Sequence, residues 1–191
     1  MSILDNQTNL PDPANVPMRP TAMKYGAYAA GITIILGLIF YVAGVQDFSQ
    51  QGGTGNTIAS LVNYAVLIGA LVMAIKYHKE NELGGYITLG RSVGIGTLTA
   101  LVAGIISAVW TFIFFGLIDP GALEQIREVA YEQAIANGAP EDQMDQMEGM
   151  MNFFTSPTFF AIVIILGSVI IGAIVSLIAG AILKKDPPPF A

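Results

Sequence analysis

The residues of this chain that could do chemistry are few, and the densest group is a run of thioethers. In "QMDQMEGMMNFFTSP", Met144, Met147, Met150 and Met151 fall within eight residues. Thioether sulfur is a soft donor suited to Cu(I), but such a site needs sulfurs that converge on one point. At helical spacing these four run along a face instead. Phe154 extends the stripe inside an arc of about 120°, with Glu141, Asp142, Asp145 and Glu148 opposite. Methionine also fills irregular apolar gaps. The stripe therefore reads as the apolar side of an amphipathic helix, and no metal is assigned to it.

The other reactive types are equally sparse. His78 is the only histidine; standing between Lys76 and Lys79, it is expected to be an exposed imidazole, neither a metal ligand nor half of a catalytic dyad. The carboxylates of 119–156 fall on solvated helix faces rather than converging as an acid and a base. No cysteine is present, which removes disulfides, CxxC redox chemistry and thiolate metal sites. Gly90 and Gly94 are not followed by Lys-Ser or Lys-Thr, so "ELGGYITLGR" is no phosphate loop. No catalytic residue and no cofactor is assigned, and the chain is expected not to be an enzyme.

The elements that must position these residues are set by lipid. The chain is 53% hydrophobic and 12% charged, against about 25% charged for a soluble domain, with mean hydropathy +0.62. Four stretches hold no charge: Tyr25–Val45, Ile58–Ile75, Ser92–Ile118 and Pro157–Leu183. A bilayer core needs about 20 apolar helical residues, and all four stretches suffice. The expected fold class is an all-α integral membrane protein with four transmembrane helices at about 25–45, 58–75, 92–118 and 157–183. A proline-rich arm (1–23) precedes this domain (24–185), and a proline-rich tail (186–191) follows it. The polar, proline-broken start has no cleavable-signal pattern, so the first span is expected to serve as its own insertion signal.

Charge orients the bundle. Seven of the eight basic residues (Arg19, Lys24, Lys76, Lys79, Arg91, Lys184, Lys185) belong to the termini and the 76–91 loop, and Arg127 alone belongs to 119–156. Lys and Arg mark cytoplasmic segments. Both termini are therefore expected in the cytoplasm, with a hairpin of two amphipathic helices (119–156) outside; with Asp47 of the first outer loop, the outer side sums to about −8. The hairpin stripes (Leu123, Ile126, Val129, Ala130 and Ala134 on one helix, the methionines on the other) should pack on each other or on the span ends. An acidic polar face argues against a lipid-surface helix. The acidic balance also gives no reason to expect nucleic acid. Asn56 or Thr57, Asp119-Pro120 and Ser156-Pro157 are candidate helix starts. Gly84-Gly85 forces a turn, after which Tyr86-Ile87 can dip into the membrane interface.

Function inside the membrane leaves little trace. Transporters keep ionisable groups or broken helices within their spans; here the spans have neither. Small residues recur four apart in the third span (Ser92, Gly96, Ala100, Gly104, Ala108) and in the fourth (Ser168, Gly172, Ser176, Gly180), with a shorter set, Ala27 and Gly31 flanked by Gly26 and Ala30, in the first. Smooth stripes let helices approach closely in lipid, either within the chain or toward a partner subunit. The N-terminal prolines suit an extended arm, either free or lying along a neighbouring subunit.

Four stretches, "ELGGYITLGRSVGIG", "FIFFGLIDPGALEQ", "EGMMNFFTSPTFFAI" and "SLIAGAILKK", together resemble the bacterial four-span membrane proteins grouped as domain of unknown function 4199, over about 24–185. The motif residues are Gly84, Gly85, Tyr86, Asp119, Pro120, Ser156 and Pro157. The resemblance implies a bacterial inner-membrane location and no assigned activity, and it transfers no catalytic residue. It also implies Leu or Lys at some methionine positions, which weakens a metal reading; the arm exceeds the family pattern, so nothing carries over to it. The expected function is a non-enzymatic accessory, assembly or structural subunit of an inner-membrane complex, with membrane lipids and membrane-protein subunits or further copies of itself as partners. The alternative is a small homo-oligomeric transporter or channel lined by Asn63, Thr97, Thr99 and Thr111.

Overall fold

The computed structural model describes residues 11–48, 53–138 and 141–186; side chains are described outside 141–147. A short 3-10 turn, Pro13–Asn15, leads into six helices: α1 Arg19–Val42, α2 Thr54–Tyr77, α3 Leu89–Ile113, α4 Ala122–Ala136, α5 Glu141–Phe154 and α6 Pro157–Leu183. A π-turn, His78–Glu82, extends α2, and another, Phe114–Ile118, extends α3. Four of these helices (α1, α2 and α3 with their extensions, and α6) are long and apolar enough to cross a membrane.

The ends follow local chemistry. Helix α1 starts six residues before the uncharged run, because Pro20 sits in its first turn, where a missing N–H costs nothing. Its exit is a glycine cap: Gly44 takes φ +66°, while Val45 N–H donates to Phe40 O at 2.9 Å and Gly44 N–H to Tyr41 O at 3.1 Å. Ser156 caps α6 as expected, its Oγ accepting from Phe159 N–H at 3.2 Å with Pro157 next. Two expected caps serve otherwise. Helix α2 starts at Thr54 after Gly53, and Asn56 clasps the Asp47 backbone, its Oδ1 accepting from Asp47 N–H (3.0 Å) and its Nδ2 donating to Asp47 O (2.8 Å). Asp119 lies before the α4 turn and accepts from the Tyr41 hydroxyl at 2.9 Å.

Packing centres on α3 and α6, which make the most extensive contact in the chain. They run antiparallel. A methyl group placed on Gly96 would meet Ser176 Oγ at 1.7 Å, one on Gly172 would meet Ala100 Cβ at 2.3 Å, and one on Gly180 would meet Ser92 Cβ at 2.7 Å. Helix α1 lies on the other side of α3 through Ala22, Gly26, Ala29 and Ala30; a Cβ on Gly26 would come within 2.7 Å of Thr99 O. The expected Ala27–Gly31 pair is not the packed one: Ala27 is exposed, and Gly31 has nothing within 4 Å. Helix α2 touches α1, α3 and α6. Large apolar side chains such as Ile35, Leu61, Leu166, Ile170 and Ile182 point away from the bundle and stay exposed. A surface of that kind suits a hydrocarbon solvent.

At one end Tyr41, Phe48, Trp110, Phe114, Phe115 and Phe160 form a continuous aromatic cluster, with Tyr41 and Phe114 edge to face at 5.2 Å. Beyond it lies the hairpin α4–α5, where the expected α4 stripe is covered, Ile126, Val129, Ala130 and Ala134 being half-buried, but Met150 and Phe154 of the α5 stripe are not. Ala122 and Leu123 are buried, but Ile135 is 56% exposed and Met150 59%. Of the 15 residues of α4, only Ala122 and Leu123 in its first turn are buried. Met144 and Met147 have side chains outside the described set; Met151 is half-buried.

Candidate functional site

The opposite end of the bundle gathers the N-terminal arm, the 78–88 loop and the end of α6. Gly84 and Gly85 take φ +65° and +91°, a path only glycine follows without strain. The turn they make directs Ile87 inward rather than into the membrane interface. Ile87 is 2% exposed and exchanges both backbone hydrogen bonds with Lys185 at 3.0 Å. Tyr86 lies beneath the Lys185 ammonium, 4.8 Å from ring centre. Ala22, Ile75, Leu83, Ile87, Ile95 and Ala179 form a core here, and Val16, Met18 and Leu183 pack against it.

Within this end sits a polar cluster that spacing did not reveal. His78 is fully buried, not exposed. The π-turn rotates it inward, and its neighbour Lys79 turns to donate to Leu183 O at 2.9 Å. His78 Nδ1 meets Glu82 Oε2. Glu82 Oε1 accepts from the buried Thr21 hydroxyl of α1 at 2.5 Å. On the other side of the ring, Arg91 Nε donates to His78 Nε2 at 2.9 Å. Arg91 then spends its remaining nitrogens on the arm: Nη1 donates to Pro13 O at 2.6 Å and Nη2 to Val16 O.

The hydrogen-bond polarity is fixed by type. Arginine has donors only, so Nε2 of His78 must accept. The proton is therefore on Nδ1, facing the Glu82 carboxylate. Both ring nitrogens are engaged, and the cluster holds parts of the chain together. It joins the arm, α1, the π-turn and α3, and Lys79 adds α6. The only cue in the sequence is the His78–Glu82 spacing of four; the contacts to Thr21, Pro13 and Val16 span 61 to 78 residues and carry no local signature.

Gly96, Ala100, Gly104, Gly172, Ser176 and Gly180 meet across the α3–α6 seam, where Ser176 Oγ is buried without a hydrogen-bond partner. Gly84, Gly85 and Tyr86 border the polar cluster, whereas Asp119, Pro120, Ser156 and Pro157 stand at the hairpin end. There Arg127 Nε donates to Thr155 Oγ1 at 3.0 Å and Nη1 to Glu124 at 3.2 Å, pinning α4 to the start of α6. Thr99 and Thr111 return their hydroxyls to Ile95 O and Ser107 O of their own helix. Asn63 Oδ1 and Thr97 Oγ1 are enclosed without partners. Among the described residues no three His or acidic side chains converge as metal ligands would.

Compared with known families, residues 24–185 match the model described as "Protein of unknown function (DUF4199)". Comparison with curated proteins and with solved structures finds no match.

Proposed function

Since the chain belongs to the DUF4199 family, whose activity is unknown, we propose from its own residues that it is a non-enzymatic accessory, assembly or structural subunit of a bacterial inner-membrane complex. In this reading both termini are cytoplasmic, the α4–α5 hairpin is periplasmic, membrane lipids solvate the spans, and membrane-protein subunits or further copies are its partners. One observation carries it. Although tied to the start of α6, the hairpin leaves Tyr131, Ile135, Met150, Phe153 and Phe154 37–60% exposed, flanked by Glu124, Glu128, Glu132 and Glu148. Apolar side chains projecting from a helix with an acidic face are costly in water and poorly suited to anionic headgroups. A protein partner satisfies both conditions.

The test is affinity purification from native membranes in mild detergent, read by mass spectrometry. Stoichiometric neighbours should co-purify with the native chain and be lost with Ile135→Asp and Met150→Glu, while both variants keep native helix content. Recovery of the lone chain alone would count against the reading. The homo-oligomeric transporter has one observation in its favour, the enclosed and unpartnered Asn63 Oδ1 and Thr97 Oγ1. Solute flux in proteoliposomes that is abolished by Asn63→Leu and Thr97→Val would favour it.

A further inference from the structure

We propose that His78 and Arg91 form an acid-released latch that holds residues 13–18 of the chain's own arm across the loop end of the bundle. The arm is gripped in two ways. Val16 and Met18 pack against the core of that end, and the Pro13 and Val16 carbonyls accept from the two Arg91 Nη groups. Arg91 reaches both carbonyls only while its Nε is anchored, and its anchor is the lone pair on His78 Nε2. An arginine aimed by one acceptor presents its other donors in a fixed fork.

That lone pair is also where a proton would bind. With Nδ1–H committed to Glu82, protonation of His78 puts a second N–H on Nε2, directed at the Nε–H of Arg91. Donor would face donor and cation would face cation. The groups that face this pair are known from each packed element. Glu82 comes from the π-turn and Arg91 from α3; Asp12 on the arm adds a carboxylate to the field of Arg91. Helix α1 contributes the neutral Thr21, and Lys79 is turned away to Leu183 O. Glu82 stabilises the imidazolium whether or not Arg91 is engaged, so it does not oppose release. Arg91 discriminates between the two states.

The sign follows from linkage. The latched state binds the imidazole proton less well than a state in which Arg91 has swung away. Proton uptake therefore favours release. The latch is complete at a pH well above the usual histidine range, about 6.5, and loosens as the pH falls through and below it. Release would free the Arg91 fork, the core facets under Val16 and Met18, and the arm itself.

The chain contains no cysteine, so spin labels can be placed without background. Ala14 on the arm and Asn81 on the π-turn are both exposed, and an Ala14→Cys, Asn81→Cys pair in the full chain in nanodiscs reads their separation. The distance distribution should be narrow at about pH 8 and broad and shifted to longer distance at about pH 5. Adding His78→Gln, whose amide oxygen can accept from Arg91 and does not titrate, should keep it narrow at both. Adding Arg91→Ala should broaden it at both. A native distribution unchanged by acid overturns the latch, as does an equal acid response in His78→Gln or a narrow one in Arg91→Ala at the higher pH. A second pair at the exposed Ile105 and Val163, on α3 and α6, monitors the bundle. Equal acid broadening there would mean unfolding and would also overturn the proposal.

Discussion

His78 shows how far a single residue's role depends on partners distant in sequence. An imidazole between two lysines reads as solvated, yet here it is enclosed, because the chain leaves α2 through a π-turn that turns its side chain inward. A buried polar group must find partners or cost about 1–3 kcal/mol, and His78 finds one on each nitrogen. Thr21 belongs to the same network: its hydroxyl is 2% exposed and satisfies one oxygen of Glu82. Thr21→Val keeps the shape and removes that donor. It should lower stability by about 1–2 kcal/mol, read as a fall in melting temperature in detergent. Thr33→Val is the matched control, since that hydroxyl returns only to Ala30 O of its own helix; it should change little. Equal effects from the two would mean that the cluster contributes nothing beyond helix propensity.

The helices themselves were largely legible in the sequence. Uncharged length located the four long helices, and small residues four apart located the seam, because both signals are local and lipid enforces them. The Ser156-Pro157 start and the Gly84-Gly85 turn were legible for the same reason. What could not be read was which of several small pairs packs: α1 uses Gly26 against Thr99 O and leaves Gly31 open, a choice made by the rotation of the helix and not by composition. The stripe on α4 was legible as well, with Leu123 buried and Ile126, Val129, Ala130 and Ala134 half-buried, whereas the exposure of Met150 and Phe154 on α5 was not, since periodicity reports a face and not what covers it. The seam gives a sharp prediction. Gly96→Leu and Gly172→Leu place side chains where Ser176 and Ala100 already are. Overpacking of this kind costs about 1–3 kcal/mol or more, and both variants should aggregate or lose their cooperative melt. Gly31→Leu and Gly167→Leu, with nothing within 4 Å, should fold as the native chain does. Normal melting of Gly96→Leu would contradict the α3–α6 seam.

At the scale of the whole molecule the two ends differ in kind. The loop end is tied off by backbone pairing, a buried polar cluster and the folded-back arm. The hairpin end holds on through Tyr41–Asp119 and Arg127–Thr155 and then leaves apolar side chains uncovered. Charge follows the same division: basic residues collect at the loop end, and acids on the hairpin. The proposed role as a contact subunit rests on that polarity being aligned with the membrane, hairpin outward. Paired reporter fusions after Gly138 measure this most directly. Alkaline phosphatase joined there should be active and green fluorescent protein dark, with the reverse after Lys185. A dark phosphatase and a fluorescent protein after Gly138 would place the acidic hairpin in the cytoplasm and contradict the orientation from which the partner-binding role is drawn.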